Sequence, residues 1–169
     1  MDHINKIAVY DFDKTLAKTP ENTVNNRLLW EKYHNIPWPH RGNSWWAKIE
    51  SLDTNVFDVE LNEHVKNSAI LDINALDVHA VVLTGRIAIF STNVKEICRK
   101  GGLPIFDGYH FNNSHETLKF KLTMLNQLKI SYPKAKFFEM WEDREEHIPH
   151  FIEWGKINYG ENFTMNVVK

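Results

Sequence analysis

Residues 4–15 read INKIAVYDFDKT. The apolar part, Ile4 to Tyr10, is short and rich in β-branched residues, the mark of a strand buried on both faces in a parallel sheet. It stops at Asp11 and Asp13, two carboxylates that strand alternation points in the same general direction. Two later apolar runs end in a similar way. His79 to Thr84 (HAVVLT) stops at Gly85-Arg86, and Ala135 to Met140 (AKFFEM) leads into Trp141-Glu142-Asp143-Arg144. Between and after these runs the period becomes helical. Ile87, Phe90, Val94 and Ile97 recur at three and four before Gly101-Gly102, which predicts a helix over 87–100. Leu118, Leu122, Leu125 and Leu128 predict a second over 115–130, and Ile148, Phe151 and Ile152 a third over 144–154. Short strands near 108–111 and 162–168 complete the pattern. Strand and helix alternate with crossover spacings suited to parallel pairing, so the expected fold is α/β, a three-layer sandwich around a central parallel sheet of about five strands.

Composition narrows the function classes. A chain of 169 residues corresponds to one domain, or one domain carrying a modest insertion, and should bury roughly 70% of its unfolded surface without metal or disulfide. The single cysteine, Cys98, excludes an internal disulfide framework and a thiolate metal cluster from one chain, and suits a reducing compartment. Cys98 falls in the 87–100 helix away from the strand ends, so it reads as a packing residue. No run approaches 18 apolar residues, and MDHINKIAVYDFD lacks a cationic leader and a cleavable apolar segment; a cytoplasmic or otherwise intracellular protein is expected. A net charge of -2 excludes coating of nucleic acid by bulk electrostatics and leaves room for a local basic groove. Nine histidines without regular ligand spacing do not form a zinc site.

Residues 16–77 break the α/β rhythm. They hold Pro20, Pro37, Pro39 and Gly42 and no run suited to a central strand. Thr19-Pro20 can open a helix over 21–34 with Pro20 at its first position and Leu28, Leu29 and Trp30 as its stripe. A second helix is expected over 59–68. The chain thus divides into a core, 1–15 and 78–169, and a small, mainly helical cap insertion, 16–77. Within the cap, Trp38, Trp45 and Trp46 could stack on bases, or could be the core of a cap too small to bury aliphatic residues alone. Arg41, Lys48 and Glu50 could face the site or be ordinary surface.

In an open parallel sheet the pocket lies beyond the carboxyl ends of the strands, where the three polar clusters converge. Asp11, Asp13, Glu142 and Asp143 would concentrate negative potential that a hard cation such as Mg²⁺ relieves. Lys119 or Lys121, the Thr84 hydroxyl and the amides opening helix 87–100 would contact phosphate oxygens. A carboxylate beside a metal and a phosphate site can act as a nucleophile. Taken singly, Asp-x-Asp and Thr-Gly-Arg are as readily turns, and Glu-Asp-Arg-Glu-Glu a solvated helix start. Their order and setting make the joint chemical reading. His147 could meet Asp143 across a helical turn, or simply cap and pack.

These residues resemble the haloacid dehalogenase (HAD) superfamily of phosphotransferases, whose four motifs appear as YDFDKT (10–15), VVLTGR (81–86), FK (120–121) and WEDR (141–144). The resemblance implies a HAD-like, Rossmannoid fold and a phosphatase. Asp11 would be the nucleophile that becomes an aspartyl-phosphate, and Asp13 the general acid and then base. Thr84 would hold a phosphate oxygen. Asp11, the Asp13 backbone carbonyl, Asp143 and Glu142 would bind Mg²⁺. The family commonly carries glycine where this chain has Lys14.

The string Trp45-Trp46-Ala47-Lys48-Ile49-Glu50-Ser51-Leu52, within NSWWAKIESLDTNVF (43–57), and the run TLKFK are similar to the domain called Swiss Army Knife RNA repair-like. That run selects Lys121 as the motif lysine. This resemblance implies removal of a 3′- or 2′-phosphate during RNA repair. The phosphatase domain of polynucleotide kinase-phosphatases is also similar and has arginines matching Arg86 and Arg144. Lys14, Thr15, Gly85, Arg86, Trp46 and Lys48 are the candidate substrate contacts.

A nucleotide or small-metabolite phosphatase would use the same core residues. A binding protein that retained the fold without chemistry is the alternative outside the enzyme class. No GxxxxGK[ST] run is present, so a kinase or ligase acting beside this chain would be a separate partner.

Overall fold

The structure, a computed structural model, describes residues 3–42, 45–113 and 116–169. Asn43 and Ser44 of the NSWW run and residue 115, the expected start of a helix, lie outside these. In chain order the elements are β1 (Lys6–Tyr10), α1 (Val24–His34), α2 (Glu63–Asn74), β2 (Val78–Ile87), α3 (Ser91–Lys100), β3 (Gly108–Asn112), α4 (Thr117–Ser131), β4 (Phe137–Glu142), α5 (Ile148–Tyr159) and β5 (Phe163–Val167). Short 3₁₀ turns occupy Trp45–Ala47, Ile49–Leu52, Ala88–Phe90 and Gly160–Asn162.

All five strands are parallel, in the order β3-β2-β1-β4-β5. Ala8 pairs with Ala80 on one side and Glu139 on the other, which makes β1 the central strand. Alternation along β1 splits the core into two layers. Ala8 and Tyr10 join Ala80, Val82, the α2 residues Val65 and Ala69, and the α3 residues Val94, Ile97 and Cys98. Ile7 and Val9 join Val81, Leu83, Met140, the α4 residues Phe120, Leu125 and Leu128, and the α5 residues Phe151 and Trp154. Both faces of the sheet are covered, as the uninterrupted apolar strands require.

The cap carries its own small cluster of Trp30, Trp45 and Phe57, with Trp38, Val56 and Val59 against it. Trp38 stacks on Trp45 at 5.1 Å between ring centroids. Trp45 is thus cap core, whereas Trp46 is exposed. α2 falls inside the 16–77 stretch, yet it packs on the sheet rather than on this cluster. Its Asp72 is held by Lys6 Nζ at 2.7 Å and Tyr10 Oη at 2.6 Å, and Lys6 also pairs with Glu139.

Several expected boundaries move, each for a local reason. α1 begins at Val24 and not at Pro20, because the Thr23 hydroxyl accepts the Asn26 N–H at 3.1 Å and caps the helix. It ends at Asn35, whose φ of 55° is left-handed. The second cap helix, expected over 59–68, is α2 at Glu63–Asn74. β2 extends through Thr84-Gly85-Arg86 to Ile87, with a register shift against β3, so α3 begins at Ser91 instead of 87. The helix expected from 144 begins at Ile148.

Candidate active site

The chain leaves β1 for α2 and β2 on one side, and reaches β4 and β5 on the other. The carboxyl ends of β1 and β4 therefore meet at the point where the strand order reverses. A cleft of about 520 Å³ opens there, lined by Asp11, Asp13, Lys14, Trp46, Gly85, Arg86, Thr117, Lys121 and residues 142–146.

Asp11 follows β1 directly, and its N–H donates to the Trp141 carbonyl at 3.0 Å, which ties the two strand ends together. Its Oδ1 accepts Lys121 Nζ at 2.6 Å. The same ammonium donates to Glu142 Oε2 at 2.6 Å, and Glu142 Oε1 accepts the Arg144 N–H at 3.2 Å. Asp143 Oδ1 accepts the Thr15 hydroxyl at 3.2 Å. Asp11, Glu142 and Asp143 each offer an oxygen within 4.8 Å of the others. That all-oxygen, carboxylate-rich donor set fits Mg²⁺, and the buried setting gives it reason to attract a cation. Burial, reinforced by the charge of Glu142, holds the Asp11 carboxyl well above its usual range and raises that of Asp143. Burial opposes the Lys121 charge, but Asp11 and Glu142 outweigh it and hold the ammonium above its ordinary value.

Asp13 stands apart from the acidic trio, its carboxylate turned to Arg86. Arg86 Nε donates to both Asp13 oxygens at 3.0 Å, and Nη2 to Oδ1 at 2.7 Å. Nη1 donates to Ser51 Oγ at 2.8 Å and to the Trp46 carbonyl at 3.3 Å. Every guanidinium nitrogen is therefore engaged, and the expected substrate contact is in this state a clamp on Asp13. Lys14 has a φ of 59°, a left-handed conformation that glycine adopts without strain. Its side chain leaves the carboxylates, pairs with Glu21 at 2.7 Å and lies 5.9 Å from the centre of the Trp46 ring.

The remaining candidates separate cleanly. Gly85 and Trp46 line the cleft, whereas Thr84 and Thr15 are fully buried and the Thr84 hydroxyl accepts the Arg86 N–H at 3.1 Å. Lys48 lines a different crevice with Trp38 and His40, and Lys119 lies in a hollow on α4. Glu50 pairs with His40 at 2.7 Å. Arg41 is exposed and outside the cleft lining, while Arg144 lies in it near Glu146. His147 is buried with its ring edge against Phe151. Burial pushes the Cys98 thiol up to about 12, so this cysteine is a poor nucleophile. Ser51, Thr117, Glu145 and Glu146 are residues of the site that sequence reasoning did not single out. Ser51 sits in the quoted Trp-Trp string, but nothing in that string indicates that its hydroxyl would meet an arginine 35 positions away.

Among the described residues no helix is long and apolar enough to cross a membrane. Comparison with solved structures finds the same fold at low identity. A class C acid phosphatase from Bacillus anthracis with tungstate bound is 11% identical, with a TM-score of 0.57 over 98% of this chain and 67% of that one. An archaeal β-phosphoglucomutase from Pyrococcus is 15% identical, with a TM-score of 0.51 over 90% and 83%. A haloacid dehalogenase-like hydrolase from Streptococcus pneumoniae is 12% identical, with a TM-score of 0.50 over 98% and 95%. The family described as HAD domain family 1 in Swiss Army Knife RNA repair proteins matches residues 19–169. With that match spanning most of the chain, and the parallel sheet and converging carboxylates beneath it, the protein belongs to this HAD family.

Proposed function

We propose that this HAD-type phosphatase is a magnesium-dependent phosphomonoesterase working through an aspartyl-phosphate on Asp11, and that it removes a terminal 3′- or 2′-phosphate from RNA or another nucleic-acid end. One observation carries the chemical part: Asp11 is held by Lys121 at 2.6 Å beside Glu142 and Asp143, with Asp13 lining the same cleft. Asp11, Glu142 and Asp143 would hold Mg²⁺, with the Asp13 backbone carbonyl as a further ligand, and the ion would neutralise charge on the phosphoryl oxygens.

An Asp11 oxygen attacks phosphorus while the bond from phosphorus to the leaving oxygen breaks. Asp13, which must enter this step protonated with Oδ1 still held by Arg86, gives that oxygen its proton. Asp13, now a carboxylate, takes a proton from water, whose oxygen attacks phosphorus and releases inorganic phosphate and free Asp11. Lys121 keeps Asp11 oriented through both steps, while Thr84, fully buried outside the cleft lining, would act through the Arg86 N–H that its hydroxyl accepts.

The RNA end is supported by the family's description and by the exposed Trp46 at the cleft mouth. A nucleotide or small phosphorylated metabolite is the second reading, favoured by one observation. Of Lys14, Arg41, Lys48, Arg86 and Lys119, only Lys14 and Arg86 line the cleft, and both are paired with carboxylates. Asp11→Asn should abolish Mg²⁺-dependent phosphate release; unchanged turnover, or an inert wild type across a broad phosphomonoester panel, would sink the enzyme reading. Rates on 3′-phosphorylated RNA, 3′-phosphorylated DNA and mononucleotides choose the substrate. An advantage of orders of magnitude for mononucleotides would remove the nucleic-acid reading. If RNA ends are the substrate, a separate kinase or ligase would complete their repair.

A further inference from the structure

Arg86 joins three parts of the molecule that lie far apart in sequence. It stands near the end of β2, its side chain is 1% exposed, and it reaches Asp13 after β1 and Ser51 and Trp46 in the cap. Its guanidinium lies 4.6 Å from the centre of the Phe90 ring and 5.3 Å from that of Trp46. Ser51 is fully buried. A second tie runs from Asn93 Nδ2 in α3 to the Leu52 carbonyl at 2.9 Å. Besides the packing of Leu52 and Ile49 on the core, the 45–52 segment is therefore hydrogen-bonded to it at two places, of which one passes through the group that grips Asp13.

Resting on the phosphatase reading, we propose that Ser51 is a positioning residue for the general acid. By holding Arg86 Nη1, the cap fixes the guanidinium plane, and through its fork the direction in which the Asp13 carboxyl faces the leaving oxygen. The geometry allows little else. A guanidinium is planar and rigid, so fixing one nitrogen orients the other two. Two contacts to the cap, two rings and a bidentate carboxylate then leave it one position. Asp13 sits on a turn whose Lys14 is left-handed, and among the described residues its carboxylate is hydrogen-bonded by Arg86 alone. Cap and core thus share responsibility for the chemical step, and this part of the cap is a fixed wall of the site.

The test uses the fact that a general acid matters most when the leaving group is a poor one. Values of kcat/KM are measured for wild type, Ser51→Ala, Phe90→Leu and Asn93→Ala on dinitrophenyl phosphate, phenyl phosphate and a nucleoside 3′-monophosphate. kcat/KM reports the steps through departure of the leaving group, so the later hydrolysis of the intermediate does not mask the effect. Ser51→Ala should lose at least about tenfold more on the nucleotide than on the dinitrophenyl ester, a part of the roughly 10²–10⁴ that a positioned acid contributes. Phe90→Leu, which removes the ring against the guanidinium, should steepen the dependence in the same sense. Asn93→Ala loosens the cap without touching Arg86 and should leave the slope on leaving group as in wild type. Equal losses by Ser51→Ala on all three substrates, or no loss, would overturn the proposal while leaving the phosphatase reading intact. So would an Asn93→Ala slope as steep as that of Ser51→Ala. A wild type inert on all three and on 3′-phosphorylated RNA would defeat the phosphatase reading itself, and the coupling with it.

Discussion

Lys121 Nζ stands 2.6 Å from Asp11 Oδ1 and 2.6 Å from Glu142 Oε2, one ammonium bridging two carboxylates inside the fold. The three side chains are 3%, 7% and 1% exposed, so water screens none of them. Removing the cation leaves two buried negative charges facing each other. Lys121→Met should cost about 3–5 kcal/mol of stability, visible as a lower urea midpoint, together with loss of phosphatase turnover. An unchanged midpoint would mean that the carboxylates find another way to neutralise themselves.

A divalent cation should relieve the same crowding. Asp11 and Asp143 are both held above their usual values by burial and by Glu142, so their ionised forms weigh against the folded state. Mg²⁺ at about a hundred times its dissociation constant should add about 2.7 kcal/mol, or roughly 5–10 °C in Tm. Scanning calorimetry with and without Mg²⁺ reads this directly. Asp143→Asn should lose most of the shift, and an equal shift in that variant would move the ion elsewhere.

At Gly85 an added methyl would press on a neighbouring side chain. A Cβ there would come within 2.9 Å of Thr117 Cγ2 and 3.4 Å of its Oγ1. Gly85→Ala should therefore destabilise by about 1–3 kcal/mol and reduce activity, because Thr117 lines the cleft. Thr117→Ser removes the offending methyl, so the double variant should recover most of the stability. Additive losses in the double-mutant cycle would place the strain in the backbone instead.

Two half-buried histidines should weaken the fold on mild acidification. Burial lowers the affinity of His79 and His110 for a proton, with Asp107 opposing it at His79 and the neighbouring His79 adding to it at His110. Both groups have a lower proton affinity folded than unfolded. Their contribution is complete above the ordinary histidine value of about 6.5 and is lost as pH drops through it, since the unfolded chain then binds more protons. Asp11 and Asp143 act in the opposite sense, so the histidine part is read as a difference: between about pH 7.5 and 5.5 His79→Phe, which keeps a ring against Tyr132, should lose less Tm than wild type. Parallel profiles for the variant and the wild type would contradict the expected direction.

Much of the architecture was legible because it is local. The apolar runs before Asp11, Gly85 and Glu142 are strands, and the three- and four-residue spacings from Val94 and from Leu118 are helices. Boundaries failed where a tertiary contact competed with the local pattern. Ile87 and Phe90 share the helical spacing of Val94 and Ile97, but Arg86 is drawn to Asp13 and β2 stays extended through it. Pro20 is a plausible helix opener, but its carbonyl accepts Trp45 Nε1 at 2.8 Å and the helix waits for Thr23.

The candidate site divides along the same line. The sequence alone determined that the carboxylates share one pocket, because carboxylates at the ends of buried strands in a parallel sheet have one place to go, and the resemblance of its motifs supplied the phosphatase chemistry. That shared pocket placed Asp11, Glu142 and Asp143 together, and Lys121 was distinguished from Lys119 by its motif. Only the tertiary structure decided that Trp45 is cap core while Trp46 borders the cleft, that Lys48 faces elsewhere, and that Arg86 grips Asp13 with the help of Ser51. The physical reason is one of range. A strand or a helical stripe is written in residues two to four apart, whereas Arg86 meets partners 73 and 35 positions away, and those distances exist only once sheet register and cap docking have set them.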